Sequence, residues 1–357
     1  PEMFEKVADD VCRSACAEIG VQLREPAMQE GELRHFVESQ RTVPHLLLLL
    51  TSCRHQPSVV KLACNAISAV ADDYSFDGDC ITKLPNIFKQ LGLEEATIQC
   101  DAHKYRYASA LLLRTVIAAF LDNVTIVSAA CRALHRVITS TDSRQWRILF
   151  RGSLLTDVLF DALLSKECKE NVEAASWLCA ALGFAIGNKA DEQDMAGGGG
   201  RFQCVVDILN SFQNEEPPVV QRLLSVILTL TSRSSTNRAR CLQSGAVAVI
   251  IDIFKTRKEQ CTIAEMCLRL LMRASVSHSP SRDYLMTVPG LVDCVVENLE
   301  FHADHHDTCA NVVTKSCGLL ATLGHHLNQR TSRKNFKIDN VNVSKIIIAA
   351  VRPLLLN

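Results

Sequence analysis

The sequence contains little of what sheet-rich, fibrous or disordered proteins are made from. Its 357 residues include 15 glycines and 10 prolines, and only 5% are aromatic. So few glycines and prolines exclude a collagen-like chain, and an apolar fraction of 48% is too high for a disordered one. A sheet-rich fold would use more tyrosine, tryptophan and turn residues. The composition therefore favours many short helices.

An excess of charge of one sign is also missing. Lysine and arginine number 38 against 39 aspartates and glutamates, so the whole molecule has no field that attracts nucleic acid or an anionic membrane. The longest apolar runs, such as Leu46–Leu50 and Ile346–Val351, are far shorter than the ~18 residues of a membrane helix. We predict no nucleic-acid partner and no membrane span, and any charged site must be local.

Signatures of catalysis and metal binding are absent as well. The glycine run Gly197–Gly200 has neither the preceding strand nor the following lysine of a phosphate-binding loop, and no nucleophile motif occurs. The one cluster of metal-ligand residue types, around His302–Cys309, has no recognised ligand spacing and lies in an expected solvated break. The sequence therefore predicts no enzymatic activity, no catalytic residue, no metal site and no cofactor.

The sixteen cysteines occur singly within apolar helical patterns, and no Cys-x-x-Cys pair is present. This distribution is typical of reduced core thiols rather than of a disulfide framework or a zinc site. We therefore expect a cytoplasmic protein, with the nucleus or a cytoskeletal or ciliary structure as alternatives.

Apolar residues three and four positions apart mark a series of helices that repeat along the chain. Similar helices align with steps of 67, 45, 46, 43 and 50 residues on Ala63, Ala130, Ala175, Gln221, Ala264 and Thr314. A second register of acids within apolar segments has steps of 46, 45 and 45 residues at Asp161, Asp207, Asp252 and Glu297. Two independent registers near 45 residues indicate an internal repeat.

Each repeat is predicted to contain three helices. Gly200, Gly245 and Gly290 stand seven residues before the last three acids of the second register, where a residue without Cβ permits a sharp turn. A short first helix precedes this turn, the second helix carries the acid, and a third helix follows a polar break. Asn237 or Ser281 is expected to cap its first helix.

This short-long-long triplet, with Asn237-Arg238, Leu242 and Gly245-Ala246-Val247 in sequence, resembles the armadillo (ARM) repeat family. The resemblance implies an all-α, right-handed α-solenoid, a superhelix of three-helix repeats stacked around one continuous core. HEAT-like repeats, which have two helices and a similar period, are the alternative.

The expected organisation is a single array over 1–357. An N-terminal capping helix occupies 1–32, a first repeat 33–77, and regular repeats 143–323. The segment 78–142 is irregular and holds either a shortened repeat at Ile81–Leu91 or an inserted loop. Residues 324–357 form a basic loop, containing Arg330 and Lys337, and a C-terminal helix.

The family resemblance implies a protein-binding scaffold whose concave groove is lined by third helices. Trp177 is followed four residues later by Ala181, so the repeated Trp-x-x-x-Asn pairs of importin-alpha-type receptors are missing. The candidate groove residues are mostly basic, which suits an acidic or amphipathic protein segment. They are Lys61, Asn65, Arg132, His135, Arg136, Trp177, Arg222, Arg269, Arg273 and Lys315. Alternative roles are a regulatory or chaperone-like cofactor of an enzyme or GTPase, and a component of a cytoskeletal or ciliary assembly.

Overall fold

The computed structural model describes residues 46, 50, 56–73, 101–139, 155–276, 279–303 and 306–331. Within these ranges every regular element is an α-helix and no strand occurs, which confirms the predicted all-α class. No helix in the described ranges combines the length and the apolar character that crossing a bilayer requires. The predictions for 1–32, for Ile81–Leu91 and for the C-terminal helix lie outside the described residues.

The chain divides into two compact units, Pro1–Gly187 and Asn188–Asn357, which we call unit 1 and unit 2. The described helices of unit 1 are α1 Pro57–Asp73, α2 Asp101–Ala119, α3 Val124–Thr139, α4 Leu155–Leu164, α5 Lys166–Lys169 and α6 Val172–Ala185. α3 packs against both α1 and α6, while α2 packs against α3 and α4. The three helices α1, α3 and α6 are those that the sequence predicts as third helices.

Asparagine side chains begin two of these helices. Asn123 Oδ1 accepts a hydrogen bond from the backbone amide of Ile126 at 3.3 Å, and Asn171 Oδ1 accepts one from Ala174 at 2.9 Å. The Asn171 side chain thus satisfies an amide at the start of α6, whereas the Ile126 amide also donates to the backbone carbonyl of Asn123 at 3.0 Å. The buried side of α3 then follows the helical spacing through Ala130, Leu134 and further apolar residues.

The segment 78–142, which is predicted to be irregular, contains the helix α2 at Asp101–Ala119. Ala110, Leu113 and Ile117 are spaced by three and four residues along α2 and are fully buried. The apolar pattern of α2 is short because its first turn is the polar run Asp101-Ala-His-Lys. The helix is therefore stabilised by packing rather than by its local sequence.

The described residues of unit 2 form three successive triplets of helices. They are α7 Ala190–Ala196, α8 Arg201–Phe212 and α9 Pro217–Thr231; α10 Ser235–Gln243, α11 Ala246–Thr256 and α12 Cys261–Val276; and α13 Ser279–Thr287, α14 Leu291–Ala303 and α15 His306–Thr331. Within each triplet the helices lengthen from first to third. Arg330 lies on α15, whereas Lys337 is outside the described residues.

The triplets of unit 2 stack so that equivalent helices are neighbours. α12 packs against α9 and α15, α11 against α8 and α14, and α10 against α7 and α13. Each second helix also packs against the third helix of its own triplet. Phe254 on α11 and Leu268 on α12 are fully buried, so the core lies between the second and third helices.

Three glycines join the first and second helices of unit 2, as predicted. Gly200, Gly245 and Gly290 have φ angles of +82°, +76° and +72°. This left-handed conformation is strained for a residue with a Cβ, so glycine is the residue that these turns require.

The acid register lies on second helices, as predicted. Asp161 on α4, Asp252 on α11 and Glu297 on α14 are exposed, and Asp207 on α8 is half-buried. The acids mark the solvent side of otherwise apolar helices. Their regular spacing indicates the repeat and does not indicate a catalytic or binding role.

The predicted third-helix register is displaced by one residue at two helices. Ala63, Ala130, Ala175 and Ala264 are fully buried, but Gln221 on α9 is half-buried and Thr314 on α15 is exposed. The buried equivalents are their preceding residues Val220 and Val313. Gln221 and Thr314 therefore lie one position beyond the buried residue of their helices.

Asn237 does not cap its helix, so that prediction is wrong. α10 begins at Ser235, and the cap is Ser234, whose Oγ accepts a hydrogen bond from the Asn237 amide at 2.7 Å. The Asn237 side chain is fully buried and donates to the carbonyls of Gln193 at 2.5 Å and Leu230 at 3.0 Å. It therefore joins α10 to the helices of the preceding triplet.

Gln193 on α7 completes this buried polar cluster. Its Oε1 accepts hydrogen bonds from the backbone amides of Arg233 and Ser234, and its Nε2 donates to Ser232 Oγ at 2.6 Å. Gly197 lies directly against the cluster, since a Cβ at this position would overlap Asn237 Oδ1. Gly197 thus permits the close approach of α7 and α10.

Nine cysteines in the described residues are free thiols, and eight of them are buried: Cys64, Cys131, Cys168, Cys179, Cys204, Cys241, Cys267 and Cys294. Burial raises the pKa of Cys64 and of Cys241 to about 12. Cys261 differs because it is disulfide-bonded. The interpretation of every cysteine as a reduced core thiol is therefore wrong at Cys261.

Candidate functional site

The candidate site residues lie on the exposed sides of third helices, which we call the third-helix face of each unit. In unit 1 this face comprises exposed and half-exposed side chains of α1, α3 and α6. In unit 2 it comprises those of α9, α12 and α15. The charged groups on the two faces have different neighbours.

In unit 1, Arg132 connects three neighbouring helices. Its Nη2 donates to Asn65 Oδ1 on α1 at 2.7 Å, and its Nη1 lies 3.8 Å from Glu173 Oε1 on α6. Lys61 is exposed one turn before Asn65, and Arg136 is half-buried one turn after Arg132. The charge of Arg132 is thus partly compensated within the unit.

Aromatic rings occupy the neighbouring part of the same face. His135 on α3 lies 5.6 Å from the ring centroid of Trp177 and 5.4 Å from that of Phe184, both on α6. All three side chains are half-buried. The distances are those of favourable aromatic pairs, so this cluster holds α3 and α6 together while exposing part of an apolar surface. Phe184 was not predicted as a groove residue.

In unit 2, Arg269 and Arg273 are one turn apart on α12, with Arg269 exposed and Arg273 half-buried. Arg222 is half-buried on the neighbouring α9. Lys315 on α15 lies 3.5 Å from Glu265 on α12, so this predicted cation is paired. Within the described residues, the guanidinium of Arg269 has no carboxylate at ion-pair distance.

Arg273 reaches across to the C-terminal end of α9, where its Nη1 donates to the carbonyl oxygen of Leu228. Burial lowers the pKa of Arg273, and the neighbouring positive charges of Arg269 and Arg238 lower it further. The carbonyls at a helix C-terminus carry partial negative charge, which favours cations there. Nevertheless, the positive charges of Arg238, Arg269 and Arg273 lie near one another at this end of α9.

Arg238 belongs to this group although it was not predicted as a site residue. It lies on the first helix α10 and donates from Nη1 to the carbonyl of Thr231, the last residue of α9, at 3.3 Å. Arg282 makes the equivalent bond one triplet later, from Nη1 to Ser275 at 3.3 Å. Each acceptor precedes its arginine by seven residues, and this recurring interval was the available sequence signal.

The predicted histidine cluster provides no ligand set among the residues whose side chains are described. His302 lies on α14 and is fully buried, which corrects its predicted position in a solvated break. Its ring makes an edge contact with Phe301 at 5.0 Å, and its Nδ1 lies 3.9 Å from Cys261 Sγ. The described part of the chain contains no group of three or more histidine, cysteine, aspartate or glutamate side chains placed to hold a metal ion.

No protein-family model matches the chain, and no curated protein matches it. Solved structures do match. A crystal structure of an engineered protein from the Northeast Structural Genomics Consortium is 15% identical, with a TM-score of 0.54, over 80% of this chain and 97% of that one. A crystal structure of Uso1-1 is 14% identical, with a TM-score of 0.56, over 90% of this chain and 54% of that one. At these identities the similarity concerns the fold alone.

Proposed function

We propose that the chain is a non-enzymatic scaffold of armadillo-type repeats that binds an acidic, amphipathic segment of a partner protein on its third-helix face. The triplets of unit 2 support the repeat type, because each has a short first helix, a glycine turn and two longer helices. The proposed role needs neither a catalytic group nor a cofactor. Its compartment is proposed to be the cytoplasm.

The observation that carries this proposal is the state of Arg269. Its guanidinium is exposed on the third-helix face of unit 2 and has no carboxylate within ion-pair distance in the described residues. An arginine can bind a carboxylate through two parallel hydrogen bonds, so an acidic side chain fits this position. Arg132 and Lys315 are less available because each already lies near a carboxylate of its own unit.

Apolar groups beside the arginines explain why the partner segment should be amphipathic. Met266 and Met272 on α12 are both half-exposed, on the same helix as Arg269 and Arg273. Methionine side chains are flexible and pack against many apolar shapes. A segment with acids on one side and apolar residues next to them would therefore meet complementary groups along α12.

Selection from a display library of short random peptides tests the proposal without a known partner. We expect the wild-type chain to enrich acidic, amphipathic sequences whose binding weakens as salt is added, because exposed charge pairs are screened. Arg269→Glu should abolish this enrichment. Arg269 makes no described hydrogen bond, so circular dichroism and thermal unfolding of the variant should match the wild type.

The matched control is Lys255→Glu, which reverses an exposed cation on the second helix α11 of the same triplet. This control should leave the selected sequences unchanged. Enrichment of neutral or basic sequences, or acidic binding that persists in a folded Arg269→Glu variant, would contradict the proposal. Loss of binding in Lys255→Glu alone would instead place the site on the second helices.

A further inference from the structure

In the described part of the chain, only Cys261 is disulfide-bonded. The nine free thiols of that part exclude themselves as its partner, so the partner is a cysteine whose side chain lies outside the described residues. Abundant free thiols are typical of reducing compartments, where a disulfide is usually transient or redox-sensing. The bond at Cys261 therefore differs in kind from a structural disulfide framework.

Exposure to solvent does not by itself distinguish Cys261. Its side chain is half-buried, and so is that of Cys317, a free thiol in the interior of α15. Burial raises the pKa of Cys317, so this thiol keeps its proton near neutral pH. What distinguishes Cys261 is the set of groups around its sulfur.

The first of these groups is the start of α12, because Cys261 is the first residue of this helix. The carbonyl of the preceding Gln260 accepts a hydrogen bond from the Ala264 amide at 3.0 Å, which closes the first turn. The helix is 16 residues long. The partial positive charge at its N-terminus stabilises a thiolate in this turn.

The second group faces the same sulfur from another helix. His302 Nδ1, on α14, lies 3.9 Å from Cys261 Sγ, and the His302 side chain is fully buried. In the tautomer that carries its proton on Nδ1, the ring donates more strongly to a thiolate than to a disulfide sulfur. The exposed Lys258 adds a cation at this edge, since its Nζ lies 5.4 Å from the centroid of the Phe301 ring that contacts His302.

We propose that the Cys261 disulfide is a reversible thiol–disulfide exchange site, at which Cys261 leaves as a thiolate stabilised by the start of α12 and by His302. The co-reactant is a small cellular thiol of the glutathione class. This inference is independent of the proposed partner segment. It assigns unit 2 a covalent modification that follows the redox state of the surroundings.

The exchange takes place in two balanced steps. The thiolate of one reductant molecule bonds to the sulfur of the partner cysteine, the S–S bond breaks, and its electron pair stays on Cys261 Sγ. A second reductant thiolate then displaces the partner cysteine from the mixed disulfide. Two reductant thiols are thus oxidised to one disulfide and the protein bond is reduced; one released proton ends on the partner cysteine and the other in the solvent.

Stabilising the reduced form makes a disulfide easier to reduce, which is the effect expected of the two groups around Cys261. Other cysteines on the same two helices lack this property. Cys267 on α12 and Cys294 on α14 are buried, and burial raises the pKa of both thiols, that of Cys294 to about 11. Exchange at this edge of unit 2 is therefore selective for Cys261.

The test equilibrates the folded full chain in buffers of increasing ratio of reduced to oxidised glutathione. Differential alkylation with peptide mass spectrometry reports the reduced fraction of each cysteine, while circular dichroism confirms folding. Cys261 should pass from oxidised to reduced within this series. Cys317 should be reduced at every ratio, and Cys267 and Cys294 should react only after denaturation. In a brief reductive pulse quenched with acid, glutathione should be found on the partner cysteine rather than on Cys261.

A variant tests the imidazole directly. His302→Phe removes the ring N–H and keeps a ring at this position, so the equilibrium constant for reduction of Cys261 by glutathione should fall by at least about tenfold. The matched control is Glu297→Gln, an exposed change on the same helix. This control should leave the equilibrium constant unchanged.

Three results would overturn the inference. A Cys261 that stays oxidised until the chain unfolds would identify a purely structural disulfide. A Cys261 that is reduced at every ratio, like Cys317, would show that no stable bond forms there. Glutathione on Cys261 after the reductive pulse, or an unchanged equilibrium constant in folded His302→Phe, would show that these surroundings do not select Cys261 as the leaving sulfur. The first two results need only the wild type, so the test holds even if His302→Phe unfolds.

Discussion

The third-helix faces of the two units use arginine differently. In unit 1, Arg132 is held by Asn65 and lies near Glu173, so the guanidinium mainly connects neighbouring helices. In unit 2, Arg269 has no such carboxylate in the described residues, and it adds to the positive charge around Arg273. A basic side chain on a repeat surface is thus available to a partner only where the neighbouring repeat does not compensate it.

The polar links within the two units also differ in burial. The bond between Arg132 and Asn65 lies at the half-exposed edge of α1 and α3. The Asn237 side chain of unit 2 is fully buried between triplets. Because water can replace the first set of bonds but not the second, the same type of substitution should have unequal effects in the two units.

Alkaline pH should produce the largest effect, and it should act on both units. Cys64 in unit 1 and Cys241 in unit 2 have pKa values of about 12, against about 8.5 in an unfolded chain. The unfolded state therefore loses its thiol protons first, and stability falls as the pH rises from about 8.5 towards 12. Each such thiol contributes about 1.4 kcal/mol per pH unit in this window.

Urea unfolding at increasing pH checks this expectation. Both tryptophans of the chain, Trp146 and Trp177, are in unit 1, so their fluorescence follows unit 1 while circular dichroism follows both units. Cys241→Ala should reduce the pH dependence of the circular dichroism signal by the contribution of one thiol, because Cys267 and Cys294 of the same unit also have raised pKa values. A free energy of unfolding that stays constant between neutral and strongly alkaline pH would contradict the buried state of these thiols.

Removing one asparagine from each unit should give the next largest effect. Asn237→Ala leaves the carbonyls of Gln193 and Leu230 without their buried donor, so we expect a loss of about 3 kcal/mol in unfolding free energy. Asn65→Ala should cost about 1 kcal/mol, since water can reach Arg132. Chemical denaturation measures both. Equal losses of unfolding free energy in the two variants would contradict the distinction between the buried Asn237 bonds and the half-exposed Asn65 bond.

The smallest effect should be on stability, which two arginine variants should change in opposite directions. Arg269→Gln removes a repulsion on Arg273 and should leave the chain unchanged or more stable by about 0.5 kcal/mol. Arg132→Gln loses its hydrogen bond to Asn65 and should destabilise the chain by about 1 kcal/mol. Thermal unfolding in low salt detects the difference. Destabilisation by Arg269→Gln would show that this residue has a structural role.

Local patterns were sufficient to predict much of the fold. The glycines before α8, α11 and α14 and the acids on the second helices follow from spacing alone, because each depends on residues of one repeat. The register was displaced at Gln221 and Thr314 because each directly follows the valine that is buried, Val220 or Val313, and a one-residue shift changes the repeat interval very little.

Contacts between repeats were not predictable in the same way. The sequence shows Asn237 beside a helix start, but its role depends on Gln193, 44 residues earlier. Similarly, Arg132 and Arg269 have the same side chain on the same kind of helix, and only the neighbouring Asn65 and Glu173 distinguish them. Residues far apart in the chain decide whether a candidate site residue is already engaged.

A single titration tests the central claim that uncompensated arginine on the third-helix face of unit 2 binds acidic segments. One acidic peptide from the library selection is titrated into the wild type, Arg269→Glu and Arg132→Glu, with folding of each checked by circular dichroism. Arg269→Glu should lower the affinity by at least about tenfold, because it opposes a carboxylate with a carboxylate, and Arg132→Glu should lower it much less. Equal losses, or a larger loss from a folded Arg132→Glu variant, would contradict the claim.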